Sequence, residues 1–304
     1  MSENKESEKT LAQKIIEDVA QTKTEPEQKV PNVLELAGQN VKYEDLLKDI
    51  VQKLLESGQL IIVGVKQTGK TNTAMCIMRE LMNTNQHKNL AMKTLIFDTV
   101  LQWHYNYDAV QYLDLEDYRI LPTVLDLIVD ISLIDSLDTR NAIGQIVLND
   151  FIRKREMKEK FNGKAPYYDV YVVEEAQNVL GSYSLTGNEG RFWLKVISEA
   201  MNYKMVFLFI GQRLSDISPK AIERSRFFLL GATSGDNDLN KLKRMGGKNL
   251  ANAVVGLHRG EFVFFDKNEK SFWVISFPLF VQDSKPYPYT DGVKGNKGHA
   301  TKLF

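Results

Sequence analysis

The stretch Leu60-Ile-Ile-Val-Gly-Val-Lys-Gln-Thr-Gly-Lys-Thr71 constrains the fold of this chain more than any other. Leu60 to Val63 is a short apolar run ending at a turn residue, which reads as a strand buried on both faces of a sheet. Gly64, Gly69, Lys70 and Thr71 then fit G-x-x-x-x-G-K-[ST], the phosphate-binding loop. In that loop backbone N–H groups cradle phosphates, the lysine reaches the β- and γ-phosphates and the hydroxyl ligates Mg²⁺. From Asn72 to Asn83, Ala74, Ile77, Met78 and Leu81 recur at the spacing of one helix face. The order strand, loop, helix is what the chemistry needs, because the helix N-terminus adds free N–H groups and partial positive charge to the anion site. The sequence therefore places ATP and Mg²⁺ against Gly64, Lys66, Gln67, Thr68, Gly69, Lys70, Thr71 and Asn72.

Composition narrows the setting. At 304 residues the chain has room for one large α/β domain with extensions. Lys+Arg and Asp+Glu balance at 39 each, so no basic signature covers the whole molecule. A nucleic-acid surface would have to come from local clustering, or from charges facing the channel of a ring. Cys76 is the single cysteine, which excludes a disulfide framework within one chain and suits a reducing, cytoplasmic setting. No apolar run approaches the roughly 18 residues of a membrane span, and the N-terminus lacks the form of a signal peptide.

Along the chain, residues 1–31 read as a disordered polar tail with a short Leu11/Ile15/Ile16/Val19 stripe, residues 32–282 as the folded domain, and residues 283–304 as a flexible tail. Leu46, Leu47, Ile50, Val51 and Leu54 mark a helix over Tyr43–Glu56, stopped by Ser57-Gly58. Thr94–Asp98 reads as a second strand ending in a carboxylate. The region from about Tyr107 to Lys160 reads as mostly helical, broken at Pro122 and at Ser136 to Asp138. Val170–Val173 is another buried strand, followed by Glu174-Glu175, a loop from Gly181 to Gly190 and a helix through Trp193, Val196 and Ile197. Met205–Ile210 and Phe227–Leu230 are further buried strands, the first ending in Gly211-Gln212-Arg213. Glu261–Phe265 and Phe272–Phe277 flank Lys267-Asn268-Glu269 as an antiparallel hairpin. Strands alternating with helices define an α/β fold, a parallel sheet flanked by helices, with ligands at the C-terminal ends of its strands.

A carboxylate on a strand beside the phosphate loop can hold the Mg²⁺ shell, and the next one can orient and deprotonate an attacking water. Glu174 is assigned to the metal with Thr71, and Glu175 to the water. Gln212 ends its strand where an amide can touch both the γ-phosphate and that water. Here Glu174-Glu-Ala-Gln-Asn178, Gln212-Arg-Leu-Ser-Asp-Ile-Ser-Pro219 and Asp98 resemble the acidic and strand-end motifs of the HerA–FtsK family of ring-forming, DNA-translocating ATPases. The resemblance covers about Leu60 to Leu230, and Gly260-Glu261 also has the look of the HerA branch. It implies a RecA-like P-loop NTPase core, usually hexameric with ATP between subunits, acting on double-stranded DNA. Within it Lys70 and Thr71 are phosphate and metal residues, Glu175 the catalytic base and Gln212 the γ-phosphate sensor.

Two departures from the family pattern stand out. Ala200-Met-Asn-Tyr-Lys204 lacks the arginine that such proteins supply in trans, leaving Lys204, Arg213, Arg224 and Arg226 as substitutes. The chain also has no room for the N-terminal β-barrel of the cellular HerA-type helicases, so it looks more like the viral genome-packaging members, with a capsid or accessory protein as a partner for the tails. A repair or conjugative DNA motor is the rival within the class. A nucleotide-dependent switch that binds protein, and a small-molecule kinase, are the rivals outside it.

Overall fold

The phosphate loop leaves from the middle of a sheet. The computed structural model describes residues 43–280 apart from 89–91, 100–101, 104–106, 108–110, 114–125, 131–135 and 166. The two expected tails and the break at Pro122 lie outside the described residues. Strands β1 (Gln59–Val63), β2 (Met92–Asp98), β3 (Gln111–Leu113), β4 (Asp126–Asp130), β5 (Tyr168–Val173), β6 (Met205–Gly211), β7 (Phe227–Gly231), β8 (Glu261–Asp266) and β9 (Ser271–Ser276) form one sheet. Their order is β3-β4-β2-β5-β6-β1-β7-β8-β9. The run from β3 to β7 is parallel, and β8 and β9 are added antiparallel at one end.

The two-residue period of the buried strands separates two cores. Ile61 and Val63 of β1, Tyr171 and Val173 of β5, and Phe207 and Phe209 of β6 face one side. There they meet α3 (Ser136–Lys160), α5 (Gly187–Glu199) and α7 (Asp236–Val255), through residues such as Ile143, Trp193 and Leu242. Leu60, Ile62, Val170, Val172, Val206 and Leu208 face the other side. That side is covered by α1 (Tyr43–Ser57) and α2 (Lys70–Lys88) through Ile50, Val51, Leu54, Ala74, Ile77, Met78 and Leu81. Helices on both faces leave these strands no solvent side, so each reads as continuous apolar sequence instead of an alternation. Gly58 turns the chain from α1 into β1 at φ +76, and a Cβ there would lie 3.0 Å from the Met205 carbonyl oxygen. Only glycine satisfies both conditions.

One expectation is corrected in part. Among the described residues of the stretch from Tyr107 to Lys160, α3 from Ser136 onward is the long helix, and the helical reading misses two short strands before it, β3 and β4. Asp126-Leu-Ile-Val-Asp130 is a short apolar run of the kind that periodicity cannot assign, because five residues contain too little of a 3.6 period to differ from a strand. Pairing decides it, since β4 lies parallel to β2 with Leu127 opposite Leu95 and Ile128 opposite Ile96. The hairpin forms as expected. Its turn is fixed by Asp266, which has no exposed surface and accepts the N–H groups of Asn268 and Glu269 and a bidentate contact from Arg226, the shortest bond being 2.7 Å. Burial acts to raise the Asp266 pKa, but the Arg226 guanidinium and the turn N–H groups outweigh it and hold the carboxyl below its usual range.

Candidate nucleotide-binding site

The loop from Gly64 to Lys70 is held open by its own backbone and by β7 and β8. At Gly64 an added Cβ would lie 2.9 Å from the Thr68 hydroxyl and 3.1 Å from the Gly231 Cα, so only glycine lets the loop pass this close to β7. Val65 N–H donates to the Ala232 carbonyl at 3.1 Å, and the Thr68 hydroxyl donates to the Val65 carbonyl at 2.9 Å. Gly260 N–H donates to the Thr68 carbonyl at 2.9 Å, and Phe277 N–H to the Gly260 carbonyl at 2.8 Å. Gly260 thus fastens the start of β8 to the phosphate loop. Gly69 sits at φ +97 and Gln67 at φ +68; for Gln67 the left-handed conformation costs about 1–2 kcal/mol, strain that the anchored loop holds in place. Lys66 and Gln67 are exposed.

Lys70, the first residue of α2, folds back so that its ammonium donates to the Val65 carbonyl at 3.1 Å. Burial lowers its pKa, while Glu175 and Glu174 act to raise it. A cation whose best local partner is one loop carbonyl is readily transferred to a phosphate oxygen. Asn72 behaves otherwise. Its amide donates to the Pro278 carbonyl at 2.8 Å and its oxygen accepts Phe280 N–H at 2.6 Å, so its side chain ties α2 to the segment after β9.

Glu174 leaves the end of β5 and is buried. It accepts from the Thr71 hydroxyl at 3.0 Å, the Thr99 hydroxyl at 3.2 Å and the Trp103 indole N–H at 3.1 Å. Asp98, at the end of β2, accepts the backbone N–H groups of Gln102 and Trp103 at 3.2 and 2.9 Å, which sets the indole in place. Burial first and the Asp98 charge second push the Glu174 pKa up to about 7, against those three donors. Thr71 and Glu174, with Asp98 near enough for its charge to act on Glu174, offer an all-oxygen set suited to a hard divalent ion. Mg²⁺ takes one or two protein oxygens and completes its shell with water and phosphate. Thr71 and Glu174 fit that requirement.

Glu175 adopts φ +49, which turns the chain out of β5 at the point where Ala176 N–H donates to the Ile210 carbonyl at 2.8 Å. The turn aims the Glu175 carboxylate toward the end of β6. There Gln212 Nε2 donates to both its oxygens, at 3.0 and 3.2 Å, and Gln177 Nε2 donates to Oε2. Lys70, Thr71, Glu174, Glu175 and Gln212 thereby meet at the C-terminal ends of β1, β5 and β6. Trp103, Thr99 and Gln177 complete the arrangement and were not read from sequence. A lone tryptophan carries no motif, and its bond to Glu174 joins residues 71 positions apart.

The basic substitutes divide by edge. Lys204, Arg224 and Arg226 precede β6 or β7 and so lie at the N-terminal edge of the sheet, one strand length from the loop; β6 has seven residues, about 20 Å. None of these three reaches the phosphate loop of its own chain. Arg226 is committed to Asp266 and Glu269, and Lys204 lies over the Tyr168 ring at 5.1 Å. Arg213 is exposed beside Gln212.

A parallel sheet flanked by helices, with this loop leaving β1 and acidic residues ending β5, is a RecA-like P-loop fold. No family model and no curated protein sequence matches the chain. Solved structures do. The genome packaging NTPase B204 from Sulfolobus turreted icosahedral virus 2 in complex with sulfate aligns at TM-score 0.53 and 16% identity, over 75% of this chain and 99% of that one. Its complex with ATP-gammaS aligns at TM-score 0.52 and 16% identity, over 74% and 99%. VirB4 of Thermoanaerobacter pseudethanolicus aligns at 0.50 and 12%, over 76% and 90%. Likeness at these identities is likeness of fold. Among the described residues, no helix is long and apolar enough to cross a membrane.

Proposed function

We propose that the chain is an ATPase that moves double-stranded DNA, and that it does so in packaging a viral or plasmid-like genome. The observation that carries this is the Glu175–Gln212 contact at the end of β5 and β6 beside Lys70 and Thr71. A base, a sensing amide, a phosphate cation and a metal-binding hydroxyl are what phosphoryl transfer to water requires. Lys70 exchanges the Val65 carbonyl for the β- and γ-phosphates of ATP. Thr71 and Glu174 would hold Mg²⁺, which when bound would neutralise charge building on the phosphates. Glu175 takes a proton from the attacking water as the new P–O bond forms and the bond to the ADP oxygen breaks. Gln212, which contacts both oxygens of Glu175, keeps one of these contacts and turns the rest of its amide to the γ-phosphate, so the state of the nucleotide is passed to the segment after β6. The packaging reading is supported by the structural likeness to a genome packaging NTPase.

A second reading is a nucleotide-dependent switch that binds protein, favoured by the equal counts of basic and acidic residues. ATP turnover with and without double-stranded DNA separates the two. The motor reading expects DNA to raise kcat several-fold, with a response that weakens as salt rises. Turnover indifferent to DNA at low salt contradicts it and favours the switch.

A further inference from the structure

The segment after Gln212 is gripped by one helix. Its short 3-10 turn, Leu214–Asp216, closes one bond of its own, Ile217 N–H to the Leu214 carbonyl at 3.2 Å, and its carbonyls have lone pairs left for a donor from outside the turn. Lys241 of α7 fills that role with all three of its N–H donors, reaching the carbonyls of Leu214 at 3.2 Å, Ser215 at 3.0 Å and Ile217 at 2.9 Å. One turn earlier on α7, Asp238 is 3% exposed and accepts Ser215 N–H at 2.6 Å and the Thr233 hydroxyl at 2.9 Å. On its other side the segment meets the residues that come after Glu175: Gly181 bridges Ile217, and Ser218 N–H donates to the Leu180 carbonyl at 2.8 Å. A small cleft at Gln212 is lined by Gly64, Leu214, Gly231, Thr233 and Asp238. Buried Leu214 and Ile217 anchor the segment in the core, and the hydrogen bonds from α7 set the course of the backbone between them.

We propose that Asp238 and Lys241 are positioning residues for Gln212, holding the Arg213–Ser218 segment so that the Gln212 amide meets Glu175 and the γ-phosphate at the productive angle. The proposal rests on the hydrolysis reading above. It adds a residue pair on a different helix, one that touches neither nucleotide nor base. Burial lowers the Lys241 pKa, and Asp238 and Asp216 counter it, so the two α7 residues also support each other. A purely structural role would show as lost stability; a positioning role shows in kcat and disappears when Gln212 is gone.

The test is a double-mutant cycle on the full chain, reading ATP turnover, binding of a non-hydrolysable ATP analogue, and thermal melting. Lys241→Met keeps the apolar stem and removes the donors, and Asp238→Ala removes the acceptors. Each is expected to lower kcat about tenfold to a hundredfold while analogue affinity changes less than about twofold. Asp238→Asn, which still offers an acceptor to Ser215 and a donor to the Thr233 oxygen, is expected to retain most of the turnover. In a Gln212→Ala background, Lys241→Met is expected to cause no further fall. A full additional fall there, or unchanged turnover in Lys241→Met and Asp238→Ala alike, overturns the proposal. Should Lys241→Met fail to fold, the Asp238→Ala and Asp238→Asn pair makes the same comparison. If the unmodified chain does not hydrolyse ATP, or Lys70→Ala turns over normally, the hydrolysis reading falls and this proposal with it. Normal hydrolysis that ignores both α7 residues overturns this proposal alone.

Discussion

Glu174 and Glu175 are neighbours in sequence with opposite surroundings. Glu174 is buried among Thr71, Thr99 and Trp103, with its pKa pushed up to about 7 by burial, whereas Glu175 is turned outward at φ +49 onto Gln212. In the proposed mechanism this difference suits Glu174 to the metal and Glu175 to the water. Glu175→Gln keeps the size and the amide contacts but cannot take a proton, so it is expected to bind ATP normally while kcat falls about 10²-fold or more. Nucleotide titration beside single-turnover hydrolysis checks this; a Glu174→Gln variant that binds normally and fails to turn over, with Glu175→Gln only weakening the Mg²⁺ requirement, would exchange the two roles. The phosphate-loop residues were legible in the sequence because phosphate chemistry forces a fixed local string. Trp103 was not, because its indole meets Glu174 only after β2 and β5 pair. Asn72 illustrates the same limit: its place after Thr71 suggests the nucleotide, while its side chain is taken by Pro278 and Phe280.

At the scale of elements, the buried parallel strands and their helices were legible because a strand covered on both faces must be apolar throughout. The β3 and β4 strands were not, since their identity comes from pairing with β2 and not from period. The hairpin of β8 and β9 is fixed less by its turn sequence than by Arg226, which reaches in from the start of β7 to Asp266. Removing that guanidinium leaves Asp266 buried without its main partner. Because the arginine side chain is itself 39% exposed, the loss is less than for a fully buried pair; Arg226→Ala is expected to cost about 2–3 kcal/mol. Chemical denaturation measures it. A loss below about 0.5 kcal/mol would free Arg226 for a role across a subunit boundary.

At the scale of the molecule, the proposed motor is expected to assemble as a ring, an expectation that the separation of two edges supports. Lys204, Arg224 and Arg226 lie at the N-terminal edge of the sheet and the phosphate loop at the C-terminal edge, so a basic residue from the far edge can serve only a neighbour's site. With Arg226 committed to Asp266, Lys204 and Arg224 are the candidates on that edge, and exposed Arg213 is the candidate beside the site. In the proposed ring, expected to contain six copies, such a residue would complete each site in trans, a contribution worth about 10³ or more in rate. Mixing Glu175→Gln subunits, which keep the basic residue, with subunits carrying alanine at that residue, which keep the base, is expected to restore part of the turnover each lacks. Failure to restore any activity, with full-rate hydrolysis by a monomer, would remove both ring and trans residue.

The central claim, that hydrolysis at this site moves the protein along DNA, is tested most directly by displacement of a third strand annealed to one end of a linear duplex. ATP-dependent release of that strand by the unmodified chain is expected, and none by Glu175→Gln even at saturating ATP. Steady ATP turnover on the same duplex without release of the strand would contradict it.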